Sequence, residues 1–146
     1  MTSSSNNPIL IIASRLLTPF IQLFALYVIV HGHYGPGGGF QGGAMLAASI
    51  IFLRLSLGTE ISQRIFKKTW GIPLGILGAI VFFSTGLLTL VFGGTFLEFN
   101  ELALPGLSKA ELHFYGILVV EIGVSIAVMS ILISIFDDLS GESDCD

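Results

Sequence analysis

The chain has 146 residues, enough for one domain, but 53% of them are hydrophobic and only 11% are charged, against roughly 25% charged residues in ordinary soluble domains. Six basic residues, ten acidic residues and a mean hydropathy of +0.89 exclude a water-soluble globule, a disordered segment and a nucleic-acid binder. An integral membrane protein is the class that remains, and the single cysteine excludes a disulfide framework, a zinc site or an iron–sulfur centre.

Four apolar segments predict an all-α fold, an integral membrane bundle of four transmembrane helices that forms one domain over residues 1–146. The segments run over about 9–30, 42–57, 72–92 and 112–136. A helix crosses the hydrocarbon core with about 20 residues at a rise of about 1.5 Å each. The second segment, with 16 residues, must therefore extend into its flanks or stay short. The alternating segments that mark a β-barrel do not occur in the sequence.

The first segment contains three residues that are unusual in an apolar span, Arg15, Pro19 and Gln22. Pro8 suits the first turn of the helix, where a missing N–H costs little, and Pro19 predicts a kink. The residues before the segment lack the basic start of a signal peptide, so we expect this span to be retained.

Basic residues concentrate in the loop between the second and third segments. Arg64, Lys67 and Lys68 lie in this loop and Arg54 just precedes it, whereas Lys109 is the only basic residue that the other two loops contribute. The positive-inside rule places the basic loop in the cytoplasm, so four spans put both termini there as well. Residues 137–146 form an acidic tail, for which we expect a solvated cytoplasmic end.

The stretch from His31 to Gly43 is the most unusual part of the sequence, because seven of its thirteen residues are glycine. Glycine permits backbone conformations and close approaches that other residues exclude. Two interpretations stay open. The stretch is either a tight surface hairpin between two helices, or irregular backbone at membrane depth whose carbonyl groups face a cation or water. A phosphate-binding loop is excluded because no strand precedes the glycines and no Lys–Ser/Thr pair follows them.

Histidines and one carboxylate are the titratable candidates at membrane depth. His31 and His33 are two residues apart and face different sides of a helix, which makes them a poor metal pair, so we predict neither a metal site nor a cofactor. Glu121 lies nine residues into the fourth segment, where a carboxylate is costly and faces a bundle interior or a wet pathway. It is either part of a proton or cation relay, with His113 near the same water file, or a structural hydrogen-bonding group.

Small residues recur on the third and fourth segments and predict faces on which helices approach closely. They are Gly71, Gly75, Gly78, Ala79 and Gly86 in the third segment, and Gly116, Gly123, Ala127, Ser130 and Ser134 in the fourth. Helices with such faces and little polar chemistry indicate one part of an assembly rather than a complete transporter.

The run His-Gly-His-x-x-Pro-Gly-Gly-Gly-Phe-x-Gly-Gly, from His31 to Gly43, resembles the MnhB (also called MrpB) family, a membrane component of the Mrp-type multisubunit sodium/proton antiporter. The resemblance covers essentially the whole chain. It implies a non-enzymatic component, without cofactors, of a prokaryotic cell-membrane complex that exports Na+ in exchange for H+. It also implies partner subunits A, C, D, E, F and G. Of these, A and D resemble the proton-pumping subunits of respiratory complex I, and the small subunits, including B, are expected to shape the sodium route.

The resemblance assigns an ion-pathway or gating role to the motif residues, which are Pro36, Gly37, Gly38, Gly39, Phe40, Gly42 and Gly43, with His31 and His33. Glu121 and His113 join these candidates on physical grounds alone. The same module also occurs in membrane-bound hydrogenases and related respiratory complexes, which the sequence does not separate from an antiporter. A non-conducting scaffold subunit is a further alternative. The acidic tail with Cys145 lies outside the shared pattern.

Overall fold

Four long helices form the fold in the computed structural model, which describes residues 8–32, 37–58, 64, 66–99 and 108–141. They are α1 (Pro8–His31), α2 (Gly39–Leu57), α3 (Gly71–Val91) and α4 (Lys109–Gly141), and a 3-10 turn, Lys68–Trp70, leads into α3. Each helix is long and apolar enough to cross a membrane. No strand occurs in the described ranges. The predicted all-α, four-helix membrane fold is confirmed.

Two helices begin earlier than the apolar segments. Helix α2 begins at Gly39 and has 19 residues, so the second span gains its missing turn from the glycine-rich stretch. Helix α4 begins at Lys109, and a capping box between Ser108 and Glu111 forms its first turn. The backbone N–H and hydroxyl of Ser108 donate to the Glu111 carboxylate at 2.8 and 2.7 Å, and the Glu111 N–H donates back to the Ser108 hydroxyl at 3.3 Å. The Ser-x-x-Glu spacing that produces this start is visible in the sequence.

The last helix also ends later than expected. Helix α4 continues to Gly141, and Asp137 is buried with its carboxylate paired to the side chain of Arg54 on α2. The guanidinium of Arg54 also donates a hydrogen bond of 2.9 Å to the carbonyl oxygen of Phe66. The expectation of a solvated end is therefore wrong for Asp137. A buried arginine needs a counter-charge, and the end of α4 is where the chain supplies one.

Helix α4 organises the bundle, because α2 and α3 both pack along it, while α1 packs mainly on α2. The close approach of α3 depends on small residues, as the sequence predicts. A Cβ atom on Gly78 would lie 2.5 Å from the Gly123 carbonyl oxygen and 2.6 Å from the Ala127 nitrogen. Gly75 faces the Ser130 and Ile131 turn of α4 in the same way. The predicted faces differ at three positions. Ala79 is exposed on the outer side of α3, and Gly86 and Gly116 pack against Phe96 and Phe99, which lie outside the helices.

Helices α2 and α4 run parallel and share one long interface. Gly39 lies against Glu121 at one end of this interface, and Arg54 pairs with Asp137 at the other. Between the two ends lies an apolar cluster of buried residues that also takes in the loop before α3. Its members are Ala47, Ile50, Phe66 and Ile133. The interface thus carries ionisable side chains at both ends and an apolar cluster between them.

Candidate functional site

The carboxylate of Glu121 lies against both described ends of the glycine-rich stretch. A Cβ atom on Gly38 would lie 2.8 Å from the Glu121 Oε1 atom, and one on Gly32 would lie 2.5 Å from the same oxygen and 2.8 Å from the Gly38 nitrogen. The chain therefore leaves α1 and enters α2 at one point, beside this carboxylate. Gly38 also has a φ of +88°, which favours glycine for its own conformation. A side chain at either glycine would displace the carboxylate.

Two of the three glycines at the start of α2, Gly39 and Gly43, seat that helix on α4. A Cβ atom on Gly39 would lie 2.8 Å from the Glu121 Cα atom, and one on Gly43 would lie 2.6 Å from the Ser125 carbonyl oxygen. Because residues four apart share one face of a helix, Gly39 and Gly43 match Glu121 and Ser125 turn for turn. The two backbones are so close here that no Cβ atom fits between them, and this contact fixes Glu121 relative to the start of α2.

Gly42 and Gly37 serve other contacts. A Cβ atom on Gly42 would lie 3.0 Å from the Ala25 carbonyl oxygen, so this glycine lets α2 approach α1. A Cβ atom on Gly37, which is exposed and has a φ of +153°, would lie 3.1 Å from the side chain of Val28. The described glycines of the stretch thus divide between the carboxylate, helix α4 and helix α1.

Two helix ends contribute to the electrostatic setting of Glu121. Helix α1 ends at His31 and α2 begins at Gly39, so the negative end of one helix dipole and the positive end of another meet beside the carboxylate. Converging helix ends of this kind form ion sites in membrane transporters, since amide groups stabilise an anion and carbonyl groups stabilise a cation. Across the described ranges no three His, Cys, Asp or Glu side chains come together as a metal site.

The motif phenylalanine lies on a different side of α2 from the glycines that contact α4. Phe40 is 64% exposed, which places it on the outer surface of this chain. Pro36 and His33 lie outside the described residues. Among the described motif residues, Gly32, Gly38 and Gly39 therefore lie against Glu121, whereas Phe40 lies on the outer surface.

The two described histidine candidates lie at helix ends. His31, the last residue of α1, is exposed, its ring stacks on Tyr27 at a centroid distance of 4.2 Å, and its Nδ1 atom is 3.2 Å from the Tyr27 carbonyl oxygen. His113 is exposed near the start of α4 and meets Phe99 edge to face at 6.1 Å. His113 lies two turns before Glu121, about 12 Å along the helix axis. Each ring thus contacts an aromatic side chain.

Sequence reasoning misses two features of the site. Gly32 has no role of its own in the motif, yet it is as close to the carboxylate as Gly38. The motif and Glu121 are separate candidates in the sequence, although Glu121 lies against Gly32, Gly38 and Gly39 in the structure. The matching four-residue spacings of Gly39–Gly43 and Glu121–Ser125 are visible in the sequence, but spacing alone does not say which helices meet.

Comparison with known proteins agrees with the resemblance carried by the motif. A family model described as a domain related to the MnhB subunit of the Na+/H+ antiporter matches residues 9–134, which include both the glycine-rich stretch and Glu121. The chain is 32% identical over 140 residues to the B component of the Na(+)/H(+) antiporter of Bacillus subtilis, a match that covers 94% of this chain and 96% of that protein.

Two staphylococcal proteins named as putative antiporter subunit mnhB2 are similarly close. The chain is 30% identical over 140 residues to the Staphylococcus haemolyticus protein and 29% identical over 136 residues to that of Staphylococcus aureus strain MRSA252. Each match covers 93% of this chain and 96% of the relative. With a family model that spans most of its length and relatives matched almost end to end, the chain belongs to the MnhB family.

Proposed function

We propose that this chain is the MnhB-type membrane subunit of a multisubunit Na+/H+ antiporter, and that Glu121 with the surrounding glycines forms part of the ion route of that complex. The family supports the assembly, since relatives of nearly equal length are named as antiporter subunits. The contact of the Glu121 carboxylate with Gly32 and Gly38 is the observation that carries the site. It brings a titratable group together with the end of α1 and the start of α2.

The proposed role of Glu121 is to alternate between a protonated and an ionised state as the two ions exchange. A charged carboxylate at the centre of a membrane helix costs about 2.5 kcal/mol or more, so it must be paired, hydrated or protonated. The start of α2 at Gly39 lowers this cost by turning its amide groups toward the site. A Na+ ion that reaches the site would replace the proton as the partner of the carboxylate.

The route beyond Glu121 requires another subunit. Ala47, Ile50 and Ile133 fill the α2–α4 interface beyond the site and are at most 7% exposed. Closely packed apolar side chains leave no space for a hydrated ion. The proposed path therefore leaves this interface and continues along a surface that this chain shares with a partner, where Phe40 lies on the outside of α2.

The test of the site is the replacement of the titratable group without a change of shape. Glu121→Gln keeps the volume of the side chain and is expected to lower antiport in everted vesicles about tenfold or more, or to move its pH optimum. Asp138→Asn, an exposed carboxylate on the same helix, is the matched control and should leave transport unchanged. Normal transport by Glu121→Gln at every pH, with loss of assembly in Glu121→Leu, would identify a structural carboxylate and a scaffold subunit.

Phe40 provides a second test, because it is expected to shape the passage without binding an ion. Phe40→Ala should reduce sodium-dependent antiport while the complex still assembles. Leu55→Ala is the control, since Leu55 is 66% exposed on the same helix but lies near its other end. Equal activity of the two variants would remove Phe40 from the route.

The proposed orientation places both termini in the cytoplasm, supported by the basic residues between α2 and α3. Two exposed positions at opposite ends of the bundle test this orientation, after Cys145→Ser has removed the natural thiol. In intact cells an impermeant thiol reagent should label Lys109→Cys. It should label Thr69→Cys only after the membrane has been permeabilised. The reverse pattern would invert the topology.

A further inference from the structure

Four residues form a seam along one side of α1 that no other described helix of the bundle covers. Arg15, Pro19, Gln22 and Leu26 follow one another at spacings of four, three and four residues, which places them on one stripe of the helix. Arg15, Pro19 and Leu26 are exposed and Gln22 is half-buried. We call these four residues the Arg15 seam. The side that α1 turns to its own chain is marked by other residues, the buried Ser14, Thr18, Ala25 and Ile29.

The Arg15 seam carries two polar side chains at membrane depth. Arg15 is a permanent cation, and Gln22 carries an amide group that both donates and accepts hydrogen bonds. In the ranges that the structure describes, neither side chain has a hydrogen-bond or ion-pair partner. Polar residues in membrane helices almost always face a bundle interior, a wet cavity or a counter-charge. The interior of this chain lies on another side of α1, so no residue in the described ranges partners the two polar side chains of the seam.

The position of Gln22 indicates that the partner of the Arg15 seam is a protein helix and not lipid. Helix α1 has 24 residues, so Gln22 lies about 21 Å from the start of the helix and about 14 Å from its end. A long arginine side chain can bend along the helix to a lipid phosphate, but the short side chain of Gln22 reaches neither headgroup layer from this position. Interhelical hydrogen bonds from glutamine are a common contact between membrane helices.

We infer that the Arg15 seam is the docking surface for a transmembrane helix of a neighbouring subunit, which presents a carboxylate to Arg15 and a polar side chain to Gln22. This inference rests on the proposed function, because it requires a multisubunit complex. Pro19 and Leu26 supply the apolar contacts between and beside the two polar ones. Since all four side chains lie outside the core of this chain, their replacement leaves its own fold intact.

Co-purification of the complex tests the seam. The tagged chain is expressed with the other subunits of its complex, and each recovered subunit is identified by mass spectrometry. Arg15→Leu combined with Gln22→Leu is expected to lower recovery of at least one identified subunit about tenfold, with an unchanged amount of the tagged chain. Arg64→Leu, which removes an exposed cation from the basic loop, is the control and should recover all subunits.

Photo-crosslinking names the occupant of the seam. Benzoylphenylalanine at Leu26 should form a product with the same subunit, whereas at Phe20, which is 64% exposed on another side of α1, it should not. Full subunit recovery by the double variant, or a Leu26 product with lipid alone, would overturn the inference while the proposed function stands. Failure of the unmodified chain to recover any subunit would overturn both.

Discussion

Gly39→Val is expected to prevent α2 from seating on α4 and to abolish antiport. The first side-chain carbon would meet the Glu121 backbone, with the Glu121 carbonyl oxygen and Cα atom both closer than any van der Waals contact allows. Backbone cannot move aside as a flexible side chain does, so the helices must separate. Overpacking of this kind costs about 3 kcal/mol or more, at the upper end of its usual range. The loss is measured as the amount of assembled complex and as transport in everted vesicles.

Ala48→Val is the matched control for Gly39→Val. Ala48 is exposed on the same helix, so the same new side chain meets no packed neighbour there. We expect assembly and transport close to those of the unmodified chain. If Gly39→Val assembled and transported as well as Ala48→Val, the close contact between α2 and Glu121 would not be needed for function.

Arg54→Leu is expected to have the second large effect, on stability rather than directly on transport. It leaves the Asp137 carboxylate buried beside the apolar cluster without its counter-charge. Breaking a buried ion pair from one side typically costs about 3–5 kcal/mol. For a chain of this size the thermal midpoint in detergent should fall by roughly 10 °C. Fluorescence-detected size exclusion after heating would measure this change.

The double variant Arg54→Leu with Asp137→Leu separates charge burial from loss of contact. Two leucines restore an apolar contact in which no charge is left alone, so most of the lost stability should return. Lys68→Leu is the surface comparison, because the Lys68–Asp138 pair has side chains 51% and 70% exposed and should contribute less than about 1 kcal/mol. A double variant as unstable as Arg54→Leu alone would mean that the ion pair itself is required.

The helices themselves were predictable because their signals are local. Apolar length fixes the four spans, Pro8 begins α1 as expected of a first-turn proline, and the Ser108–Glu111 capping box begins α4. The small-residue pattern also predicted that the third and fourth segments each carry a face suited to close helix packing, and Gly78 lies on such a face. Each of these features depends on residues within one or two turns of each other.

The contacts between segments were not predictable in the same way. Glu121 and Gly38 are distant in sequence, and nothing in either segment says that they meet. Arg54 and Asp137 lie near the ends of two helices that finish on the same side of the membrane, so the predicted topology allowed them to pair. Which helices are neighbours in the bundle decides whether they do. The sequence pattern indicates which side of each helix is buried. The arrangement of the helices decides which neighbour that side packs against.

The length of α4 gives the protein a mechanical property. With 33 residues it is about 50 Å long, well beyond the hydrocarbon thickness, and it holds Glu121 and Asp137 about 24 Å apart on one stiff rod. Rotation of this rod by about 10° around Glu121 would carry Asp137 by about 4 Å, which exceeds the span of an ion-pair contact. A tilt of this size would require the Arg54 contact to break, so the ion pair holds the angle between α2 and α4 at the end of their interface away from Glu121.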